Sequence, residues 1–246
     1  MRFFVTGGTR GIGAQMVLDI VSAGHDVAFT FLERDSEASN VIKRAADIAP
    51  LSRCRAYKLD VRDSDAVDLV TETAIDDFTE IDVVVCNAGI NRIALAIAMT
   101  NEEWKDVIDT NLTGAFYVCR AFLPLFLQHG RGRFILISSV GMHGVSGQIG
   151  YSASKAGLMG LAQGLAKEYG AKGITANALV LGLFGTDLSE ASLSESSRRF
   201  WLETCPAQRI GRLSEVSAAV LFLASVGADF INGQLIGING GLDRVK

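Results

Sequence analysis

Proline, histidine and cysteine are all scarce in this sequence. Its 246 residues include 3 prolines, 3 histidines and 4 cysteines. The few prolines, together with 49% hydrophobic residues, exclude collagen-like and intrinsically disordered chains. The cysteines lie far apart without CxxC spacing, so we expect reduced thiols rather than a disulfide framework. The histidines are too widely spaced to share a helical turn, and we therefore expect no histidine-based metal site.

Long hydrophobic runs and a strong excess of one charge are also missing. No run of about 18 apolar residues is present, which argues against a membrane span. Met1 and Arg2 lead directly into Phe3-Phe4-Val5, an apolar run too short for an export signal. The 23 basic and 27 acidic residues give a net charge of −4, which does not favour nucleic acid or anionic membranes as partners. We therefore expect a soluble, cytoplasmic protein.

The sequence does contain a regular alternation of short apolar runs with longer segments of helical period. This alternation is typical of βαβ units around a parallel sheet. The predicted strands are Phe3–Thr6, Asp26–Phe31, Arg55–Leu59, Val83–Cys86, Phe134–Ser138, Thr175–Leu179 and Leu235–Ile238. The predicted helices are Gly11–Ala23, Ser36–Ile48, Ser64–Phe78, Glu102–Gln128, Tyr151–Tyr169 and Ser214–Ala224, with Ser64, Asn101 and Ser214 as N-caps.

No repeat or linker divides the chain. We predict one doubly wound α/β Rossmann domain over residues 1–246, with helices on both faces of a seven-stranded, mainly parallel sheet. One serine-rich segment, Gly182–Cys205, breaks the alternation. Such a segment is either a variable loop over a substrate or a surface excursion.

A glycine-rich turn follows the first predicted strand. Thr6-Gly7-Gly8-Thr9-Arg10-Gly11-Ile12-Gly13 leads directly into the first predicted helix. Glycines let the backbone turn tightly and approach a pyrophosphate, and a helix N-terminus presents free N–H groups to that anion. The strand–turn–helix context favours a dinucleotide site over a purely structural turn.

The end of the second strand bears on which dinucleotide fits. A carboxylate there would bind the ribose hydroxyls of NAD and repel a 2′-phosphate. This chain has Thr30-Phe31-Leu32 instead, and Arg10 in the turn could pair with a phosphate through its guanidinium fork. These residues favour NADPH, although Glu33 lies only two residues beyond Phe31.

Tyr151 and Lys155 lie four residues apart on a predicted helix, and therefore on one face. A nearby ammonium lowers the pKa of a phenol by favouring the phenolate. Such a pair could pass a proton to a carbonyl oxygen while a nicotinamide delivers hydride. By itself this spacing is common on helix surfaces.

The motifs gain weight because they occur together. They are TGGTRGIG at 6–13, CNAG at 86–89, TNLTG at 110–114, ISS at 137–139, YSASKAG at 151–157, and FLAS, INGQ and NGG in the tail. Their order and intervals resemble the short-chain dehydrogenase/reductase family over essentially the whole chain. Within that family the sequence most resembles the β-ketoacyl-acyl-carrier-protein reductase branch.

The resemblance implies roles for individual residues. Tyr151 would be the general acid, and Lys155 its pKa partner and a ligand of the cofactor ribose. Asn111 would interrupt the helix that begins near Glu102 and hold a water of the proton relay. The implied cofactor contacts are Gly7, Thr9, Arg10, Gly11, Ile12 and Gly13 in the turn, Asp60 and Val61 at the adenine, Asn87, Ala88 and Gly89 beside the adenosine, and Thr186 at the nicotinamide carboxamide.

The family serine that orients the carbonyl has two candidates here. Counting back from Tyr151 by the common family spacing gives Ser138, whereas aligning the strand gives Ser139 and one deletion in the following loop. Strand register fixes which way a side chain points, and loops tolerate deletions, so we choose Ser139. The family's Pro-Gly after the sixth strand is Leu181-Gly182 here, which predicts a less rigid loop.

We therefore expect an NADPH-dependent reductase whose substrate is a 3-oxoacyl thioester carried on acyl carrier protein. One alternative is the same chemistry on a sugar, steroid or small ketone, and another is a dinucleotide-sensing regulator without catalysis. Lys172, Arg131 and Arg133 resemble the basic residues that dock the carrier in this branch, or are simply surface charges. The apolar segment Arg120–Leu127 indicates, by analogy, a homotetramer or homodimer.

Overall fold

The chain folds around one seven-stranded sheet in which every neighbouring pair of strands is parallel. The computed structural model describes residues 1–186 and 195–242, so part of the predicted variable segment, 187–194, lies outside the described residues. The strands are β1 (Arg2–Val5), β2 (Asp26–Phe31), β3 (Cys54–Lys58), β4 (Val83–Cys86), β5 (Gly132–Ser139), β6 (Ile174–Leu181) and β7 (Leu235–Ile238), in the spatial order β3-β2-β1-β4-β5-β6-β7. The predicted doubly wound α/β class is confirmed. A single domain over residues 1–246 stays a prediction.

Helices cover both faces of this sheet. They are α1 (Gly11–Ser22), α2 (Asp35–Ile48), α3 (Ser64–Phe78), α4 (Asn101–Ile108), α5 (Gly114–His129), α6 (Ile149–Tyr169), α7 (Glu195–Thr204) and α8 (Leu213–Ala224). Strand side chains alternate between the two faces. Phe3 and Val5 therefore pack into the core beneath α1 and α8, while Phe4 packs into the core beneath α3, α5 and α6. Each such buried side chain contributes about 1.5–3 kcal/mol of hydrophobic stabilisation.

The predicted helix Glu102–Gln128 is in fact two helices. A π-helical turn, Asp109–Thr113, separates α4 from α5 and contains Asn111. Such turns recur at functional sites, because the extra residue changes the direction of a side chain. The interruption that the resemblance implied at Asn111 is therefore present.

The three predicted N-caps are each wrong by one or two positions. Asp63 caps α3 by accepting from the N–H groups of Asp65 and Ala66. Thr100 caps α4 in a reciprocal capping box with Glu103. The N-terminal neighbour of α8 is Arg212, not Ser214. A carboxylate or threonine one residue earlier supplied the same acceptor in the first two cases, so composition alone could not decide the boundary.

The sheet order places a crevice beside β1 and β4. These strands are neighbours, but the connections that follow them leave toward opposite faces, and ligands of open α/β sheets bind at this switch point beyond the carboxyl ends of the strands. The Gly8 N–H donates to the Thr30 carbonyl at the end of β2, and Thr6 N–H donates to Val85 O. Among the described residues, no helix is both long and apolar enough to cross a membrane.

Candidate active site

The turn after β1 is a backbone cradle that only glycine permits at key points. Gly7 and Gly11 have φ of 70° and 51°, in the left-handed region. A Cβ on Gly13 would lie 2.0 Å from the Gly7 carbonyl oxygen. Since α1 begins at Gly11, its first N–H groups face the turn. The cradle therefore fits a pyrophosphate, as a dinucleotide would present.

The loop after β4 holds this cradle in place. Thr6 Oγ1 accepts from the N–H groups of Asn87 and Ala88, both at 2.9 Å. Asn87 Nδ2 donates to the carbonyls of Thr6 and Gly7 at 2.9 and 3.0 Å. The role of Asn87 is thus to fix the turn, and the role implied for it beside the adenosine is compatible with that position.

A single cleft of about 690 Å³ runs along the carboxyl edge of the sheet. All of the predicted cofactor residues line it: Gly7, Thr9, Arg10, Gly11, Ile12, Gly13, Asp60, Val61, Asn87, Ala88, Gly89, Tyr151, Lys155 and Thr186. A Cβ on Gly11 would lie 3.3 Å from Cγ2 of Thr186. The Thr186 side chain therefore lies directly against the glycine-rich turn. The structure therefore brings together residues that are up to 179 positions apart (186 − 7).

Lys155 is a buried cation at the base of this cleft. Its side chain lies on α6, and Nζ donates to the Ile137 carbonyl at 2.7 Å. Nζ lies 5.6 Å from the centroid of the Tyr151 ring. Burial lowers the pKa of Lys155 from 10.5 to about 8, so the ammonium form persists at neutral pH.

Burial raises the pKa of Tyr151, and a hydrogen bond with Ser139 acts in the opposite direction. The Lys155 ammonium lies near the Tyr151 ring. That it lowers the pKa of the Tyr151 phenol stays a prediction. With a raised pKa, the phenol remains protonated at neutral pH. Tyr151 is therefore suited to give a proton rather than to take one.

Asn111 lies in the π-helical turn between α4 and α5, and its side chain is buried. Its Oδ1 accepts from the Ile90 N–H at 2.8 Å, and its Nδ2 donates to Ile90 O at 2.9 Å and to Ser154 Oγ at 3.0 Å. Ser154 Oγ donates in turn to the Tyr151 carbonyl. Asn111 thus links the β4 loop to the catalytic helix. The water-holding role implied for it stays a prediction.

Ser138 and Ser139 point in different directions at the end of β5. Ser138 is 2% exposed, and its Oγ donates to the Lys155 carbonyl at 2.8 Å. Ser139 Oγ accepts from the Gly141 N–H at 3.1 Å, lies beside Gly141 with the Tyr151 ring, and acts to lower the pKa of the Tyr151 phenol. This arrangement favours Ser139 as the carbonyl-orienting serine, in line with the choice made from strand register.

The two serines can be separated by mutation. Ser139→Ala should lower kcat roughly 10²-fold, because it removes one donor to the substrate oxygen. Ser138→Ala should instead lower the free energy of unfolding by about 1 kcal/mol, with the smaller effect on turnover, because it removes a buried hydrogen bond. Steady-state kinetics and urea unfolding of both variants check this. A larger loss of turnover in Ser138→Ala would reverse the assignment.

Several cleft residues were not found from the sequence, among them Arg34 and Arg62. Arg34 follows β2 with φ of 73°, lines the cleft and pairs with Glu37 at 3.3 Å. Arg62 pairs with Asp60 at 2.6 Å and holds the pKa of that carboxyl below its usual value. A backbone angle cannot be read from composition, and an arginine after a strand is a weak signal alone. The Asp60 carboxylate implied at the adenine is thus already held by a cation.

The substitution of Leu181 for the family proline extends β6. Leu181 pairs with Ser139 of β5 and Ile238 of β7, and the next N–H, of Gly182, donates to the Ile238 carbonyl at 3.0 Å. The sheet therefore continues to the edge of the cleft at this point. The less rigid loop predicted from the missing proline stays a prediction.

Comparisons with known proteins agree with this geometry. A family model described as enoyl-(acyl carrier protein) reductase matches residues 7–243. The chain is 38% identical over 240 residues to a 3-oxoacyl-[acyl-carrier-protein] reductase of Synechocystis sp., with 97% of this chain and 95% of the relative covered. A protein of the same description from Salmonella typhimurium is 37% identical over 242 residues, with coverage of 98% and 96%.

Solved structures show the same architecture. The crystal structure of levodione reductase superposes with a TM-score of 0.93 at 28% identity, covering 98% of this chain and 97% of that one. A putative short-chain alcohol dehydrogenase from Sinorhizobium meliloti gives 0.92 at 29% identity, with coverage of 98% and 95%.

These proteins differ in substrate: an enoyl group in one case, and a 3-oxoacyl group, levodione or an alcohol in the others. They share oxidation–reduction chemistry, which the Rossmann cradle and the Tyr151–Lys155 pair also indicate. The matches extend over nearly the full length of the chain, so they concern the whole fold and not a shared motif. The chain belongs to the short-chain dehydrogenase/reductase family and is an oxidoreductase that uses a nicotinamide dinucleotide.

Proposed function

We propose that this chain reduces a 3-oxoacyl thioester to the 3-hydroxyacyl thioester with NADPH, and that its substrate is carried on acyl carrier protein. The observation that carries the proposal is the pairing of Ser139 with a protonated Tyr151 in the cleft. Two hydroxyl donors meeting at one point suit an oxygen that gains charge, as a ketone oxygen does when its carbon is reduced. The relatives named above as 3-oxoacyl reductases supply the substrate class.

A nicotinamide dinucleotide held by the turn after β1 and by Tyr151 and Lys155 would supply a hydride for the keto carbon. Ser139 and Tyr151 orient the ketone oxygen, and Tyr151 gives it a proton as the hydroxyl forms. The Lys155 ammonium stabilises the negative charge left on the phenol until solvent returns the proton. One hydride and one proton thereby convert the ketone to the alcohol, and the thioester is unchanged.

The preference for NADPH rests on cations at the adenosine end of the cleft. Arg10 in the turn and Arg34 after β2 both line it, and Phe31 stands where a carboxylate would repel a 2′-phosphate. Guanidinium groups bind phosphate through paired hydrogen bonds. Glu33 also lines the cleft and opposes this preference, so NADH is the competing cofactor to test.

Arg34→Gly should raise the KM for NADPH roughly tenfold and leave the KM for NADH nearly unchanged, because it removes a cation near the 2′-phosphate. Glycine adopts the left-handed backbone of residue 34 without the cost of about 1 kcal/mol that a side chain incurs. The free energy of unfolding should therefore not fall. Lys43→Ala, which removes an exposed cation from α2 outside the cleft, is the matched control. An equal effect of Arg34→Gly on both cofactors would contradict the assignment.

The proposed reaction is tested by following nicotinamide absorbance with several substrates in parallel. These are an acetoacetyl thioester on acyl carrier protein, the same acyl group on a small thiol, a crotonyl thioester and a cyclic diketone. We expect fastest turnover with the carrier-bound acetoacetyl group and NADPH. Faster reduction of the crotonyl thioester would replace the proposal with enoyl reduction, and faster reduction of the diketone would replace it with small-ketone reduction.

Two of the three basic residues expected to dock the carrier are engaged in ion pairs within this chain. Arg131 pairs with Glu80 at 2.6 Å and Asp82 at 3.4 Å, and Arg133 pairs with Asp229. Both arginines lie at the start of β5, whereas the cleft lies beyond the ends of the strands. The carrier proposal therefore rests on the named relatives rather than on these two arginines.

We also propose that the protein is a cytoplasmic homotetramer or homodimer. On α5, Phe116 is 44% exposed and Leu127 is 42% exposed. The Arg120 guanidinium lies over the rings of Phe116 and Tyr117. An exposed aromatic and aliphatic helix face of this kind supports subunit contact, and sedimentation analysis would measure the assembly.

A further inference from the structure

A second, smaller cavity lies next to the catalytic cleft. It has a volume of about 230 Å³ and is formed by the C-terminal half of α7, the segment 205–215 and the end of β7 with the turn that follows. Three residues, Leu183, Phe184 and Trp201, line both this cavity and the catalytic cleft. We refer to the smaller cavity as the side chamber.

The walls between the cleft and the side chamber are held by specific contacts. Phe184 is buried, and a Cβ on Gly211 would lie 2.3 Å from its ring, so the ring lies directly against that backbone. The Gly211 N–H donates to the Leu183 carbonyl at 2.9 Å. On the opposite wall, Trp201 packs against a small apolar cluster that includes Val140, the residue after Ser139. Leu183, Phe184 and Trp201 thus form a boundary that begins beside the catalytic serine.

The far end of the side chamber is tied down as well. The Cys205 thiol donates to the carbonyls of Asn239 and Gly240, at 3.7 and 3.5 Å. The Ala207 N–H donates to the Gly240 carbonyl at 3.0 Å. These bonds fasten the segment after α7 to the turn after β7, so the chamber has a fixed floor.

The lining suits a neutral apolar group. Its side chains are mainly hydrophobic: Leu183, Phe184, Trp201, Leu202, Cys205, Ala207, Ile238 and Leu242. Among the described residues that line it, the two charged ones neutralise each other, since Arg209 donates to both carboxylate oxygens of Glu215 at 2.8 and 2.7 Å. Asn239 Oδ1 accepts from the Gly241 N–H. A hydrocarbon therefore meets an environment in which these polar groups already have partners.

We propose that the side chamber receives the distal part of the substrate's acyl chain, and that Trp201 and Leu202 set the chain length that is reduced efficiently. This inference rests on the proposed function, because it takes the substrate to be an acyl thioester. About 230 Å³, at the ~30 Å³ that a water-sized group occupies in a liquid, is room for roughly seven methylene groups. On this proposal the terminal carbons of medium-length and long 3-oxoacyl groups occupy the chamber, whereas the four-carbon acetoacetyl group stays in the catalytic cleft.

Substitutions at Leu202 test the chamber without changing the catalytic residues. Leu202 lines only the side chamber, whereas its neighbour Glu203 is exposed and lines neither cavity. Leu202→Trp should fill the chamber and lower kcat/KM for a 3-oxododecanoyl thioester by about tenfold or more, while acetoacetyl reduction changes less than about twofold. Leu202→Ala should spare the long substrate, and Glu203→Ala should affect neither.

A binding measurement tests, independently of turnover, whether the side chamber holds the acyl chain. The chain has 2 tryptophans, so in a Trp104→Phe background the fluorescence reports Trp201 alone. We expect dodecanoyl-N-acetylcysteamine to change this fluorescence saturably and acetyl-N-acetylcysteamine to leave it unaltered. Because Leu202→Trp adds a second tryptophan, the loss of dodecanoyl binding in that variant is measured by titration calorimetry.

The two readouts separate failure of this inference from failure of the proposed function. If acetoacetyl thioesters are not reduced but dodecanoyl binding is seen and is lost in Leu202→Trp, the proposed reaction is wrong and the apolar chamber stands. If Leu202→Trp alters long and short substrates equally, or leaves dodecanoyl binding intact, the chamber does not hold the acyl chain.

Discussion

Replacing Tyr151 with phenylalanine should lower kcat roughly 10³-fold while NADPH still binds. Only the phenolic hydroxyl is removed, and a positioned general acid contributes about 10²–10⁴-fold to a rate. The ring remains and still fills the space beside Gly141, where an added Cβ would lie 3.1 Å from Tyr151 Cε1. Cofactor binding by fluorescence and turnover with an acetoacetyl thioester measure the two effects separately.

Tyr169→Phe is the matched control for this experiment. Tyr169 is the last residue of the same helix and does not line the cleft. Its hydroxyl is likewise removed, so a general effect of losing a tyrosine on α6 would appear in both variants. Retention of most activity in Tyr151→Phe would contradict the proton-transfer role.

The protonation state of Tyr151 also bears on the direction of the reaction. Burial raises the pKa of the phenol, which keeps the proton on the group at neutral pH. Reduction needs that proton, whereas alcohol oxidation needs a base. The site as built therefore favours reduction at neutral pH, and oxidation should gain relative to reduction as the pH rises.

Much of the fold followed from local pattern because parallel sheets impose it. Val83-Val84-Val85 is a continuous apolar run, as expected of a strand buried on both faces, and all three residues are fully buried in β4. The glycine turn was readable for the same kind of reason, since Gly13 occupies a position at which a Cβ has no room. Where one residue type satisfies a steric demand, sequence reasoning succeeds.

Sequence reasoning failed at positions where several residue types meet the structural requirement equally well. It also failed where residues distant in the chain set that requirement. Asp63 and Thr100 cap helices one residue before the predicted positions, because any short oxygen-bearing side chain can accept the same N–H groups. The left-handed backbone of Arg34 has no compositional signature. The side chamber depends on residues far apart in the chain, and neither Leu202 nor Gly240 is distinguished in the sequence.

The choice between Ser138 and Ser139 was made from strand register and not from the number of residues that separate the serine from Tyr151. Spacing from Tyr151 favoured Ser138, but a loop length changes without altering a strand, whereas a shift of one residue reverses the face that a side chain occupies. In the structure the two hydroxyls have different partners, Lys155 O for Ser138 and the Gly141 N–H for Ser139. Register is the more costly property to change, so the choice of Ser139 rests on it and stays a prediction that the two serine variants test.

Replacing Lys155 with methionine should lower kcat by roughly 10³-fold or more and also change how stability depends on pH. Methionine approximates the volume and unbranched shape of the lysine stem but carries no charge. Turnover should fall because the phenolate formed at Tyr151 loses its nearby cation, and electrostatic contributions of this kind are large in sites that exclude water. The stability effect follows from the lysine's own burial.

In the folded chain burial lowers the pKa of Lys155 from 10.5 to about 8. Between these values the unfolded chain holds a proton that the folded chain has released, so the free energy of unfolding rises with pH across that window. Below about pH 8 both states are protonated and the full cost of burying the ammonium applies. A shift from 10.5 to about 8 corresponds to about 3 kcal/mol.

Lys155→Met removes this contribution but leaves the Ile137 carbonyl without its 2.7 Å partner, at a cost of about 1–3 kcal/mol that does not vary with pH. At pH 7 the two effects nearly cancel, and the variant should be about as stable as the wild type. Between pH 8 and 10.5 the wild type should gain about 3 kcal/mol relative to the variant.

Urea unfolding at a series of pH values measures that difference, and other groups that titrate in the same range cancel from it because both proteins contain them. Lys167→Met removes an exposed lysine from the same helix and should parallel the wild type. Parallel curves for Lys155→Met and the wild type would mean that Lys155 keeps an ordinary pKa in the folded chain. The ammonium would then be hydrated, and its proposed role beside Tyr151 would lose its electrostatic basis.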